Sequence, residues 1–307
     1  MNLRTKNRLA YKRLSIGGVL LVLLAGTGCQ TLSPFAERTK SKIASARSWA
    51  NGGLEALQAG HLQRAQGFFE RAAEQHPTDF RNRANLARAH FQSGEIESAI
   101  QEMTAAVALS GNDPLMVVEL GQMHLAQGNL NQARQQAERA IATVHNFVPG
   151  YTLLGQVSSQ AGEYDEALAY LHKAASLDPS DLNVPVELVK TYRRNNEPRK
   201  ALAALDQLIA RYPIDSQSEQ AILVKADILT ELDQHSTAIA TLRQAIREQK
   251  PTVAVTTKLA KLQIEVGKLN HARETITDAQ ARFPDAREVQ IIAQQLSELS
   301  PSGTKLR

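Results

Sequence analysis

The stretch AGHLQRAQGFFERAAEQHP at residues 59–77 returns, with the same spacing of small residues, as AGEYDEALAYLHKAASLDP at residues 161–179. A third copy, VGKLNHARETITDAQARFP, occupies residues 266–284. All three have a glycine followed by Leu or Tyr two places later and by Ala five places later. A second alanine comes seven residues after the first, and a proline ends the copy. Such self-similarity indicates a repeat architecture.

Equivalent residues of this pattern recur every 34 residues along most of the chain. The glycine column is Gly60, Gly94, Gly128 and Gly162, followed by Asn196. The two alanine columns are Ala65, Ala99, Ala133, Ala167 and Ala201, and Ala72, Ala106, Ala140 and Ala174. Three extra residues at 216–218 shift the frame, and the columns then resume with Ala238 and Ala272.

This 34-residue unit resembles the tetratricopeptide repeat. The resemblance implies an all-α fold, an α-solenoid of about seven helix-turn-helix units that form a right-handed superhelix. Residues 46–286 would contain the seven repeats. Their expected ranges are 46–79, 80–113, 114–147, 148–181, 182–215, 219–252 and 253–286.

The residue types in these columns fit antiparallel helix pairs. Glycine before the second helix tolerates the left-handed backbone that ends the first helix. Small residues at the eighth place of each repeat would let two helices approach closely, and they are Gly53, Ala87, Gly121, Gly155, Ala226 and Ala260. Residues 287–299 fit one amphipathic helix that caps the stack. Residues 300–307 contain Pro, Ser and Gly and indicate a flexible tail.

The first 28 residues have the composition of an export signal. A basic start precedes the apolar run IGGVLLVLLAG at residues 16–26, which is about half the length of a membrane-spanning helix. Small residues then lead to Cys29. This order of basic, apolar and small residues is typical of a secretory signal peptide.

The cysteine directly after the small residues resembles the bacterial lipobox, although Gly26 stands where an aliphatic residue is usual. The resemblance implies cleavage after residue 28 and lipidation of Cys29, with residues 29–45 as a tether. Gln30, where Asp would retain such a lipoprotein at the inner membrane, favours the outer membrane of the cell envelope, facing the periplasm. Two alternatives stay open: an ordinary cleaved signal with an incidental cysteine, and an uncleaved anchor.

Composition and motifs argue against several function classes. Beyond residue 28 the chain has 30 basic and 31 acidic residues, so its charge gives no reason to expect nucleic-acid binding. The common catalytic and phosphate-binding motifs are absent from the sequence. His90 and His124, at the eleventh place of adjacent repeats, form a pair without a third metal ligand. We therefore expect no enzyme, no cofactor, no metal and no small-molecule substrate.

In the resembling family the first helices line a concave groove, and certain of their places point inward. This implies a partner-binding surface formed by polar residues that can hydrogen-bond to an extended peptide. The predicted residues are Arg81, Asn85, Arg88, Gln122, Gln156, Lys190, Arg193 and Arg194. The sequence thus predicts a membrane-anchored scaffold that binds a protein or peptide and assists assembly of an envelope complex. The alternative is a structural, oligomerising subunit of an envelope machine such as a pilus or secretion apparatus.

The anchor can be tested by replacing Cys29 with Ser. We expect the variant to leave the membrane fraction or to keep its signal, because serine has no thiol to receive the lipid. Mass spectrometry of the mature N-terminus is the measurement. A wild-type chain that starts elsewhere than residue 29, or starts there without acyl mass, would disprove the lipoprotein assignment.

Overall fold

A computed structural model of the protein describes residues 34–211, 219–248 and 251–299. Within these ranges the chain forms fifteen α-helices and no β-strand, which confirms the all-α prediction for this part. The predicted signal, Cys29, the insertion at 216–218 and the tail at 300–307 lie outside the described residues.

The helices alternate as the two members of seven successive repeats, followed by one further helix. The first helices are α1 (Pro34–Gln58), α3 (Phe80–Gln92), α5 (Pro114–Ala126), α7 (Val148–Ala161), α9 (Asn183–Arg194), α11 (Glu219–Glu231) and α13 (Val253–Glu265). The second helices are α2 (Leu62–Gln75), α4 (Ile96–Leu109), α6 (Leu130–Thr143), α8 (Tyr164–Leu177), α10 (Pro198–Arg211), α12 (His235–Glu248) and α14 (Leu269–Arg282). The last helix is α15 (Arg287–Glu298). Each repeat packs within itself and against its neighbours, which makes the fold an α-solenoid.

The turn inside each repeat contains one residue with a left-handed backbone. Gly162 has φ 82°, and the equivalent Asn196 and Asp233 have φ 57° and 58°. Asn and Asp are the non-glycine residues that adopt this conformation most readily. The complete column is Gly60, Gly94, Gly128, Gly162, Asn196, Asp233 and Gly267. The structural role predicted for the glycine column is confirmed, and the 34-residue frame holds where the glycine is replaced.

The small residues at the eighth place are required by helix approach. A Cβ atom added to Gly155 would lie 2.6 Å from Cγ of Leu171, and one added to Gly121 would lie 2.5 Å from Cδ2 of Leu153. Both leucines are fully buried. Because the interior is close-packed, neighbouring side chains already fill the space that a larger residue would need.

The first helix starts earlier than the repeat frame predicts. α1 begins at Pro34, so residues 34–45, which we expected to belong to the tether before the first repeat, are helical and continuous with the first helix of that repeat. Proline is well tolerated in the first helical turn, because its missing N–H would have no helical partner there. Residues 34–45 contain no glycine, and their Ala, Glu, Arg and Lys residues favour helix.

The C-terminal helix covers the end of the stack. α15 packs Val289, Ile292 and Leu296 against residues of α13 and α14. Its outer surface is mostly polar, but the side chain of Ile291 is 56% exposed. None of the helices in the described ranges combines the length and apolar character that crossing a membrane requires.

Packing of the second helices can be tested on α4. Ala106 is fully buried, whereas Ala108 on the same helix is exposed. We expect Ala106→Leu to lower the free energy of unfolding by about 1–3 kcal/mol through overpacking. Ala108→Leu should stay within about 0.5 kcal/mol of the wild type. Urea denaturation measures both, and the opposite ranking would show that the packing face of α4 is assigned wrongly.

Candidate functional site

The first helices form the inner wall of the solenoid. α5 contacts α7, α7 contacts α9, and similar contacts join α1 to α3 and α11 to α13. When a stack of helix pairs curves, helices that are two positions apart along the chain come into contact on its inner side. Residues of the first helices that stay exposed therefore line the inner face.

All eight predicted partner-binding residues lie on first helices, in α3, α5, α7 and α9. Exposed members of the set are Arg81, Gln122, Lys190 and Arg194. Half-buried members are Asn85, Arg88, Gln156 and Arg193. All eight lie on the inner helices, but their side chains differ in how much surface they expose to a partner.

Two of the arginines are held by carboxylates of the next repeat. Nε and Nη2 of Arg88 donate to the two carboxylate oxygens of Glu119, each at 2.8 Å, and Nη1 donates to Asn85 Oδ1 at 2.8 Å. Arg193 donates through Nε and Nη2 to Oε1 of Glu231 at 3.0 and 2.6 Å. Such forked pairs fix the guanidinium plane. Arg88 and Arg193 therefore join neighbouring repeats, and part of their hydrogen-bonding capacity is already used within the protein.

A third cross-repeat pair has the opposite polarity. Asp227 on α11 forms an ion pair with Lys258 on α13. Asp227 occupies the same repeat place as Arg88, and Lys258 the same place as Glu119. The repeat columns alone did not predict these partners, although both pairs are separated by 31 residues. Oppositely charged residues 31 positions apart, three fewer than the repeat length, are the sequence signal from which these ion pairs could have been predicted.

The other charged residues make single polar contacts, two of them with residues nearby in sequence and one with the preceding repeat. Lys190 Nζ lies 2.8 Å from Glu187 Oε1 on the same helix. Arg81 approaches Asp79, the N-cap residue of α3, with Nε 3.6 Å from Oδ1. Arg194 donates to the hydroxyl of Ser159 at 3.3 Å. These are exposed or partly exposed contacts, whose contribution to stability is small.

Gln122 and Gln156 differ from the charged residues. Neither amide forms a hydrogen bond with another residue in the ranges that the structure covers. They occupy the ninth place of repeats 3 and 4, on the contacting helices α5 and α7. Leu115 and Val186, on first helices of repeats 3 and 5, are 46% and 38% exposed. The inner face of repeats 3 to 5 thus leaves amide and apolar groups open to a partner, beside the exposed side chains of Lys190 and Arg194.

The two histidines of adjacent repeats have separate environments. His90 Nδ1 lies 2.6 Å from Oε2 of Glu95, and hydrogen bonds from His90 and Gln66 lower the pKa of Glu95. His124 is half-buried; desolvation lowers its pKa, and its Nδ1 has no hydrogen-bond partner among the described residues. Over those residues, no three His, Cys, Asp or Glu side chains cluster as metal ligands.

Comparison with protein families identifies the repeats. One tetratricopeptide repeat model matches residues 56–116 and 159–223, and a second model of the same repeat matches residues 118–181. Together the matches cover more than half of the chain. The chain belongs to the tetratricopeptide repeat family. This family and the repeat fold support a scaffold for protein–protein interaction.

Solved structures show the same fold at low sequence identity. A tetratricopeptide repeat protein from Parabacteroides merdae has a TM-score of 0.58 at 13% identity, over 83% of this chain and 99% of its own. Pseudomonas aeruginosa pilF has a TM-score of 0.54 at 20% identity, over 73% and 99%. Yeast Tom70 has a TM-score of 0.60 at 17% identity, over 82% and 56%. No curated protein sequence matches the chain.

The environment of His124 predicts a pH dependence of stability. Its folded-state pKa lies below the ordinary value of 6.5, so below that pH the unfolded chain binds a proton more readily than the folded chain. Stability should therefore fall as the pH drops through this range. We expect His124→Tyr, the residue type of Tyr192 at the equivalent place, to reduce that fall.

Urea unfolding at several values between about pH 8 and pH 5 is the measurement. The matched control is His145→Gln, in the exposed turn between α6 and α7. Equal pH dependence in the wild type and the His124 variant would contradict the assignment.

Proposed function

We propose that this protein is a membrane-anchored scaffold that binds an extended segment of a partner protein along the inner face of repeats 3 to 5. Cys29 would carry the lipid that anchors it, and the bound partner would be a component of an envelope complex. The observation that carries the proposal is the pair of unpartnered amides, Gln122 and Gln156, in consecutive repeats.

An amide side chain suits recognition of a peptide main chain. Each glutamine offers two N–H donors and one carbonyl acceptor, and an extended peptide presents the complementary groups along its length. The two glutamines lie 34 residues apart on helices that touch, so both face the same groove. Two contacts along one extended segment fix the line along which it lies as well as its position.

The neighbouring apolar side chains add a second element. Leu115 leaves 46% and Val186 leaves 38% of its surface open to solvent on the same face. Covering such surface with apolar partner side chains is favourable at about 25 cal/mol per Å². The groove would therefore favour a segment that combines apolar side chains with an accessible main chain.

The ion pairs beside this region support its shape. Arg88 with Glu119 joins repeats 2 and 3, and Arg193 with Glu231 joins repeats 5 and 6. Replacing either arginine would disturb the junction of two repeats as well as any contact with a partner. Substitution of the glutamines is the cleaner test, because neither side chain forms a hydrogen bond or ion pair with another residue of the described chain.

We expect Gln122→Ala combined with Gln156→Ala to weaken partner binding by about 5- to 150-fold, since each lost hydrogen bond contributes about 0.5–1.5 kcal/mol. The partner is first identified by crosslinking in envelope extracts and then titrated by calorimetry. The matched control replaces two exposed glutamines of second helices, Gln101 and Gln135, with Ala. A partner that tolerates the groove variant but is lost by the control would place the binding surface elsewhere.

One observation favours the alternative of an oligomerising subunit. Ile291, on the helix that covers the C-terminal end of the stack, is 56% exposed, and Leu299, the C-cap residue of the same helix, is 45% exposed. Apolar surface at the end of a solenoid can pack against a second copy. Size-exclusion chromatography with light scattering distinguishes this arrangement from a monomeric scaffold.

A further inference from the structure

The first helix differs from all the others in length. α1 has 25 residues, whereas the other described helices have 12 to 14. Its first part, residues 34–45, precedes the first repeat, and Pro34 comes only five residues after Cys29. If Cys29 carries a lipid, four residues separate the modified cysteine from a continuous helix. Four extended residues span at most about 14 Å, so α1 begins close to the bilayer.

The charge of this helix is opposite to that of the solenoid. Residues 34–49, which we call the basic segment, carry four basic residues and one acidic residue. Residues 50–299 carry 24 basic and 30 acidic residues. The four basic residues are all exposed, and none forms an ion pair with another residue of the described chain; they are Arg38, Lys40, Lys42 and Arg47.

An aromatic group lies at the end of the basic segment. Trp49, the sole tryptophan of the chain, is half-buried, with its ring centroid 5.7 Å from that of Phe68. The guanidinium of Arg71 lies 4.9 Å from the Trp49 ring centroid. Trp49 follows Arg38 and Lys42 at helical spacings of eleven and seven residues, so the three share one side of α1. Tryptophan and basic side chains are typical of the membrane–water interface.

We propose that the basic segment of α1 lies against an anionic lipid surface. Lysine and arginine close to anionic headgroups each strengthen attachment, and a lipid anchor needs such a second signal to hold firmly. The acidic body of the solenoid is repelled by the same headgroups, so the two charges together orient the repeats away from the bilayer. The inference rests on the proposed function only in that the anchor brings α1 to the membrane.

Trp49 is the natural probe of this contact, because it is the one tryptophan in the protein. The full chain is reconstituted into vesicles of phosphatidylcholine alone or of phosphatidylcholine mixed with phosphatidylglycerol. We expect a blue shift of Trp49 emission, and quenching by brominated phosphatidylcholine, only in the mixed vesicles. Both effects should decline at high salt, which screens exposed charges.

The decisive variant replaces Arg38, Lys40, Lys42 and Arg47 with Gln. Each basic residue near an anionic surface strengthens binding about fivefold, so loss of all four should remove the shift and the quenching. The control replaces four exposed arginines distant in sequence from α1 with Gln, and should behave as the wild type; these are Arg243, Arg247, Arg282 and Arg287. Circular dichroism melts verify that both variants fold.

Three results would overturn the proposal: the same Trp49 emission in the two kinds of vesicle, equal loss of the shift in the control, or the same shift with soluble heparin and no quenching by brominated lipid. The last would mark a general polyanion site. Partner binding and the acyl mass of the N-terminus are measured on the same samples. Either can fail while Trp49 still contacts lipid, and both can hold while Trp49 stays in water, so the two proposals are tested separately.

Discussion

The close approach of helices at small residues is the constraint on which this structure depends. At Gly121 and Gly155 a single added carbon would overlap a buried leucine of the next packed helix. Ala106, Ala140 and Ala174 are fully buried at the matching places of the second helices. Because each repeat buries its apolar surface only against its neighbours, the same small residues must return once per repeat. The return of small residues once per 34-residue repeat follows from this requirement, and so does the alignment of the first helices along one inner face.

The inner face then divides according to what its polar side chains already contact. Arg88, Arg193 and Lys258 are paired with carboxylates of adjacent repeats, and these pairs tie the solenoid together across its junctions. Gln122 and Gln156 have no such partner in the described structure. The inner face is therefore partly held by ion pairs between repeats and partly open to a partner. The open part lies above the largest apolar cluster, which extends through repeats 2 to 4 and gives the groove a firm base.

At the N-terminal end, α1 is both the first helix of repeat 1 and a continuation of the chain that precedes that repeat. α1 contributes Ala46 and Ala56 to buried packing, while its first turns carry exposed basic residues. A helix transmits orientation where a flexible tether would not, since its residues have fixed backbone angles. A solenoid held to a membrane through α1 would present its inner face at a defined angle, which suits a scaffold for a partner protein.

The sequence by itself determined the repeat, the all-α fold and the turn positions. These features depend on local requirements that recur every 34 residues, namely the backbone geometry at places such as Gly162 and the small space at places such as Ala174. The repeat frame also placed the eight candidate residues on the inner helices. The helix at residues 34–45 was not predicted, because these residues lie before the first 34-residue repeat, although their composition favours helix. Only the tertiary structure decided which candidates are engaged, since the contact of Arg88 with Glu119 depends on how two helices from different repeats are set side by side. Local pattern fixes which face a side chain occupies, but its partner across a repeat junction is fixed by packing.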